Sequence, residues 1–118
     1  MDHAIEDLIL GQDQRGVSEL RHLLPEDFCD QAAQFILEHP GNVAIVTGFH
    51  ILSADQHETD GPPGAIAIGD ALQYLGRQVS YVTDSHSTSL MRDWLGDRAE
   101  VLDFPISDLE TSVQVAQD

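Results

Sequence analysis

A loop at residues 57–65, with the sequence HETDGPPGA, contains the side chains of this chain best suited to chemistry. Glu58 and Asp60 supply carboxylates, which can accept protons or bind a cation. Gly61 and Gly64 expose main-chain N–H groups, which can hold an anion where a helix begins. The loop therefore predicts a rigid, anion-accepting ligand site with acidic side chains at its rim.

The elements that flank this loop would place it at the edge of a sheet. Residues 43–46 form an apolar run rich in branched side chains, typical of a strand covered on both faces. An amphipathic helix follows the loop and begins at Pro62 or Pro63, which stiffen its start. Loops after parallel strands lie together at the carboxyl edge of a sheet, where α/β proteins bind ligands. We therefore expect the loop to line a binding site.

Strand and helix patterns alternate along the rest of the chain. Their order and short loops predict an α/β fold with three layers and a short, Rossmann-like parallel sheet of about three strands. Helical patterns at residues 3–10 and 26–39 predict N-terminal helices that cover part of one sheet face. We expect a single domain over residues 1–118 and a tail at residues 107–118 that frays. The alternating patterns are a strand at 43–46, a helix at 63–75, a strand at 78–83, a helix at 85–95 and a strand at 100–104.

Further candidate residues follow the predicted strands. Gly48 can supply a close backbone approach, and Asp84 would lie at the rim of the same site. Asp60 and Asp84 also have a structural interpretation, because each stands where it could cap a helix. His50 and His57 are interpreted as solvated loop residues.

The charge balance of the chain excludes several classes of function. The net charge is -16, with 21 acidic residues against five arginines and no lysine. Nucleic acid and anionic membranes are therefore not expected as partners, because phosphate binding needs clustered basic side chains. A Schiff-base lysine and a phosphate-loop lysine are excluded outright. Such an acidic surface suits a protein that stays hydrated in high salt, and a compositional bias of the lineage is the alternative.

Location and assembly can also be predicted. Cys29 is the single cysteine, so a disulfide within the chain and a cysteine-rich zinc site are excluded. The sequence has no secretory pattern and no membrane-length apolar run, so a cytoplasmic location is expected. A sheet of three parallel strands leaves an exposed edge. We therefore expect either a homo-oligomer or a missing C-terminal portion that covers it.

Four segments of the chain closely resemble the D-glutamate cyclase family. They are Val-Thr-Gly-Phe at residues 46–49, Glu-Thr-Asp-Gly-Pro-Pro-Gly-Ala at 58–65, a helix ending Leu-Gly-Arg, and a strand ending Val-Thr-Asp. The resemblance runs from about residue 13 to about residue 104. Members of that family are longer, with a further C-terminal portion. The resemblance therefore implies that this chain is the N-terminal portion of a D-glutamate cyclase-like domain.

The resemblance implies conversion of D-glutamate to 5-oxo-D-proline and water, a lyase reaction. In this interpretation Glu58 or Asp60 takes the proton of the substrate amine, and backbone donors at Gly61 and Gly64 hold a substrate carboxylate. The residues that match the family motif are Gly48, Glu58, Thr59, Asp60, Gly61, Pro62, Pro63 and Gly64.

Acidic side chains repel a substrate with two carboxylates, so a balancing positive charge is expected. A divalent cation, Mn²⁺ or Mg²⁺, bound by Glu58, Asp60 or Asp84 is one hypothesis, and Arg15 as a substrate clamp is another. No cofactor is certain. The alternative function is a non-catalytic module, or truncated homologue, that binds a small anion or carboxylate. A nucleotide-binding domain is weakened by the lack of G-x-G-x-x-G.

Overall fold

A computed structural model of the chain describes residues 4–11 and 13–117. These residues fall into two compact units, one that ends at Pro40 and one that begins at Gly41. The expectation of a single domain over residues 1–118 stays a prediction.

The first unit is helical, as predicted. It contains α1 (Ala4–Leu10), a 3₁₀ helix (Val17–Leu23) and α2 (Phe28–Glu38). The buried carboxylate of Glu6 accepts a hydrogen bond of 3.0 Å from the backbone N–H of Cys29, and so occupies a donor that the first turn of α2 would leave unpaired. Residue 3, where the first helix was expected to begin, lies outside the described residues. The position of these helices over a sheet face stays a prediction.

The second unit contains the sheet. Its strands β1, β4 and β5 are all parallel and lie in the order β1-β4-β5. The α/β fold with a three-stranded parallel sheet is therefore confirmed. In chain order the elements are β1 (Val43–Val46), β2 (His50–Ile51), β3 (Gln56–His57), α3 (Gly61–Tyr74), β4 (Val79–Asp84), α4 (Thr88–Leu95), a 3₁₀ turn (Gly96–Arg98), β5 (Glu100–Phe104) and α5 (Leu109–Gln117).

The core lies between one face of this sheet and the helices α3 and α4. Along β4 every second residue is buried, which is the period expected when one face of a strand packs. Tyr81, at the centre of the sheet, is fully buried, and Met91 of α4 is buried with it. The core residues are Ala65, Leu72, Val79, Tyr81, Met91, Leu95 and Val101. The other sheet face includes Val46 and Leu102, which are exposed.

Two elements were not predicted. The pair β2 and β3 forms an antiparallel hairpin in which His50 lies opposite His57, and strands of two residues are too short for a periodic pattern to reveal.

The tail expected to fray instead forms α5. Asp108 accepts a hydrogen bond of 2.8 Å from the N–H of Thr111, and this bond lowers the pKa of the Asp108 carboxyl. A cap of this kind supports a helix that has a weak apolar pattern.

The described residues contain no helix with both the length and the apolar character required to cross a bilayer.

Helix α3 lies close to the sheet at Gly69. A Cβ on Gly69 would clash directly with the hydroxyl of Tyr81. This hydroxyl is buried and has no hydrogen-bond partner among residues 4–11 and 13–117, and burial raises the pKa of Tyr81. Glycine at this position therefore sets the distance between α3 and β4.

Substitution of this glycine tests how tightly the core is packed. We expect Gly69→Ala to lower the free energy of unfolding by about 1–3 kcal/mol, because the fully buried Tyr81 cannot move aside. Tyr81→Phe in the same chain should restore part of that loss, since it removes the clashing oxygen. Urea unfolding of the single and double variants measures both effects. Equal stability of Gly69→Ala and the parent chain would contradict this packing.

Candidate functional site

The carboxyl ends of the three parallel strands surround a cavity of about 430 Å³. Gly48 and Asp84, both predicted site residues, lie in its wall. The complete lining is Val46, Thr47, Gly48, Val82, Thr83, Asp84 and Phe104. This cavity therefore lies at the end of the sheet where the sequence predicts the site, and a binding role for Gly48 and Asp84 stays a prediction.

A second cavity, of about 370 Å³, lies between the end of β1 and the start of α3. It contains most of the predicted loop residues, and it shares Val46 and Thr47 with the first cavity. Its lining is Ile45, Val46, Thr47, Glu58, Asp60, Gly61, Gly64, Ala65 and Ile68. The structure therefore brings Glu58 and Asp60 to one cavity at the edge of the sheet.

Two predicted residues lie outside these walls. Thr59 is exposed and is not in the lining of either cavity. Arg15 belongs to the first unit, where its backbone N–H donates to Asp13 Oδ1 at 2.8 Å. A substrate-binding role for either residue stays a prediction.

Asp60 occupies the N-cap position of α3, but its side chain makes no capping hydrogen bond. A capping side chain accepts from the second or third helical N–H. Those positions are Pro62 and Pro63, which have no N–H. The capping interpretation of Asp60 is therefore wrong, and the same prolines that start the helix leave the Asp60 carboxylate available to the cavity.

The prediction of an anion-accepting site at this helix start is also wrong in part, because the Gly64 N–H is not free. The N–H of Gly64 donates to the carbonyl of Asp60 at 3.1 Å, within the first turn of α3. Because Pro62 and Pro63 supply no donor, Gly61 has the single N–H among the first three helical positions. One N–H is a weak anion site compared with the three that a helix start normally offers.

The hairpin of β2 and β3 fixes the backbone of Glu58. Its N–H donates to the carbonyl of Phe49 at 2.9 Å, directly after β3 ends. The carboxylate atom Oε2 lies 3.6 Å from the position that a Cβ on Gly61 would take. Glu58 and the start of α3 therefore approach each other at the wall of the second cavity.

Asp84 is held in one orientation by the turn that leads into α4. Its Oδ1 atom accepts hydrogen bonds from the N–H groups of His86 and Ser87, at 2.9 and 3.0 Å. The predicted capping role of Asp84 is thus met by one oxygen. The other oxygen, Oδ2, lies 2.5 Å from the position that a Cβ on Gly48 would take. Asp84 therefore caps the turn and faces the first cavity at the same time.

Three histidines gather beside this turn, which the sequence did not indicate. The rings of His50 and His86 stack at 3.9 Å between centroids, and His57 meets His50 edge-on at 5.6 Å. His50 Nε2 also lies 3.1 Å from Asp55 Oδ1, and the His50 side chain is only 10% exposed. The interpretation of His50 as a solvated residue is wrong, because the unpredicted hairpin packs it against His86.

The walls of the two cavities are acidic. In the part of the chain that the structure describes, their linings contain Glu58, Asp60 and Asp84 but no arginine or histidine. Among residues 4–11 and 13–117, no group of three or more His, Cys, Asp or Glu side chains is arranged to hold a metal ion. The metal site at Glu58 and Asp60 stays a prediction.

The chain belongs to the D-glutamate cyclase-like family, because the family model described as D-glutamate cyclase-like, C-terminal, matches residues 5–117. It is 37% identical over 81 residues to the human protein named D-glutamate cyclase, mitochondrial. The aligned part covers 67% of this chain and 13% of the human protein. No solved structure matches the chain significantly. The recognised family is confirmed. That the chain is the N-terminal portion of such a domain stays a prediction, since the matched model describes a C-terminal region.

Gly48 is the residue whose substitution should disturb the first cavity most. Its φ is +129°, which side chains rarely adopt, and an added Cβ would lie 2.5 Å from Asp84 Oδ2 and 2.7 Å from Thr83 Oγ1. We expect Gly48→Ala to lower the free energy of unfolding by about 1–3 kcal/mol through strain and crowding. Chemical denaturation measures the loss.

Gly64→Ala is the matched control, because a Cβ there meets nothing within 4 Å and α3 is helical at that position. It should stabilise the chain by about 0.5–1 kcal/mol, as expected for alanine in place of glycine in a helix. If the two alanine variants are equally stable, the close approach of Gly48 to Asp84 is not present in solution.

Proposed function

We propose that this chain is a D-glutamate cyclase-like lyase, which converts D-glutamate to 5-oxo-D-proline and water. The observation that supports this most is the convergence of Glu58 and Asp60 on one cavity at the carboxyl edge of the sheet. The family membership and the human relative named D-glutamate cyclase support D-glutamate as the proposed substrate. The aligned part spans 13% of that relative, so the activity of the whole relative is carried over here as a proposal.

The reaction needs proton transfer and no net change in charge. The amine nitrogen attacks the γ-carboxyl carbon, so one C–N bond forms and one C–O bond breaks. The ammonium nitrogen loses two protons, and the departing oxygen takes up two protons and leaves as water. A carboxylate that accepts a proton from nitrogen and returns it to oxygen therefore completes the reaction without an external acid.

Glu58 and Asp60 are the groups to which we assign this transfer. The Asp60 carboxylate makes no capping bond, and Glu58 lies in the same wall with its backbone held by Phe49. A cavity of this size also holds the flexible substrate in a folded conformation, which brings amine and carboxyl together. Gly61 is the donor at the start of α3 that can bind a substrate carboxylate.

Location and assembly belong to the same proposal. We include a cytoplasmic location in it. A second copy, or a further C-terminal portion, would cover exposed apolar residues of the sheet such as Val46 and Leu102. Nucleic acid and membranes are not expected as partners, given the net charge of -16.

Measurement of 5-oxoproline formed from D-glutamate tests this function. We expect turnover by the parent chain, and a loss of about 10²–10⁴-fold in kcat for Glu58→Gln or Asp60→Asn, which is the range for removal of a general acid–base group. Glu110→Gln, on the exposed α5, is the matched control and should retain full activity.

Two results would separate the alternatives. Saturable binding of D-glutamate without turnover would favour a non-catalytic carboxylate-binding module. Full turnover in both acidic-site variants would show that Glu58 and Asp60 do not transfer the protons.

A further inference from the structure

The first cavity contains an acidic group with one oxygen that is not used for structure. Asp84 Oδ1 accepts two backbone N–H groups, whereas among the described residues Oδ2 accepts a single hydrogen bond, from the Ser87 hydroxyl at 3.5 Å. A hydrogen bond at that distance is weak. The carboxylate is thus fixed by one oxygen and offers the other to the cavity.

A second polar group reaches the same place. Thr83 is only 2% exposed, and its hydroxyl oxygen is buried without a hydrogen-bond partner in the part of the chain that the structure describes. Thr83 is in the lining of the cavity together with Asp84. Asp84 Oδ2 and Thr83 Oγ1 lie 2.5 and 2.7 Å from one point, the position that a Cβ on Gly48 would take. The two oxygens therefore lie close together beside the backbone of Gly48, where a side chain would clash with both of them.

An unpaired buried hydroxyl costs the folded state about 1–3 kcal/mol, and a ligand that donates a hydrogen bond to it would remove that cost. The Asp84 carboxylate and the Thr83 hydroxyl both accept hydrogen bonds, and the described lining of this cavity contains no basic side chain. The pair therefore favours a small, positively charged hydrogen-bond donor as its ligand. A primary ammonium group meets this description, because it has three N–H donors and no acceptor.

We propose that Asp84 and Thr83 form the subsite that binds the α-ammonium group of the substrate. This inference rests on the proposed function for the identity of the amino acid. Asp84 holds the nitrogen by charge, and Thr83 accepts one of its N–H groups. The transfer of protons remains with Glu58 and Asp60, so Asp84 and Thr83 act in binding.

The test compares D-glutamate with glutarate, which keeps both carboxylates and lacks the amine. Calorimetric titration of the parent chain should give a Kd for D-glutamate about tenfold or more below that for glutarate, as one charge-assisted hydrogen bond provides. Asp84→Asn should remove this preference and leave glutarate binding unchanged, because asparagine can still accept the N–H groups of His86 and Ser87. Asp93→Asn, on an exposed position of α4, is the matched control.

Thr83→Val supplies a second variant that separates binding from folding. It keeps the shape of the side chain and removes a hydroxyl that has no partner, so the melting temperature should stay equal or rise. The affinity for D-glutamate should nevertheless fall by about threefold to tenfold, the share of one neutral hydrogen bond. A purely structural role of Thr83 would change stability and leave this affinity unaltered. If Asp84→Asn does not fold, Thr83→Val decides the question.

The subsite is refuted if the parent chain binds D-glutamate and glutarate equally or binds neither, or if Asp84→Asn binds D-glutamate like the parent. Measurement of 5-oxoproline in the same samples tests the proposed lyase activity separately from the ammonium subsite. Discrimination by Asp84 without turnover would leave the subsite standing and remove the lyase activity. Turnover in Asp84→Asn with an unchanged KM would support the lyase activity and refute the subsite.

Discussion

The parallel pairing of β1 with β4 is the interaction on which the site depends. The register places Val46 beside Val82, so the residues that follow these strands meet at one edge of the sheet. There the backbone of Gly48 approaches the side chain of Asp84 so closely that no larger residue fits without displacement. Because both strands pack on the same buried core, neither can shift its register without moving a whole row of side chains to the other face.

The start of α3 gives the site its chemical character. A helix normally presents free N–H groups and a positive end at its first turn, and so attracts anions. Here Pro62 and Pro63 remove two of those donors while they fix the backbone for the helix. The carboxylate of Asp60 loses its capping partners for the same reason. The site therefore retains acidic groups with few competing donors, which suits proton transfer and the recognition of an amine.

Much of this arrangement could be predicted from the sequence. Several features depend on residues that are close together in the chain. They are the branched apolar run of β1, the helical spacing of α3, the end of α4 at Gly96 and the loop that joins β1 to α3. The parallel sheet followed from the order of these elements. The position of Glu58 and Asp60 at a cavity then followed from the rule that such loops lie at the carboxyl edge.

The rest depended on contacts that local patterns do not contain. The hairpin of β2 and β3 has two-residue strands, and its His50 ring stacks on His86, a residue distant in the chain. The unpaired hydroxyl of Thr83 is visible only once β4 is buried beneath the helices. For Asp60, the general preference of aspartate for helix caps predicted the wrong role, because it took no account of the prolines two and three residues later.

A crystal structure of the protein grown with saturating D-glutamate tests the central claim most directly. The account predicts ligand density at the carboxyl edge of the sheet, with the amine nitrogen within hydrogen-bond distance of Asp84 Oδ2 and the γ-carboxyl beside Glu58 or Asp60. Density at another surface, or a ligand at this edge with its amine directed away from Asp84 and Thr83, would contradict it.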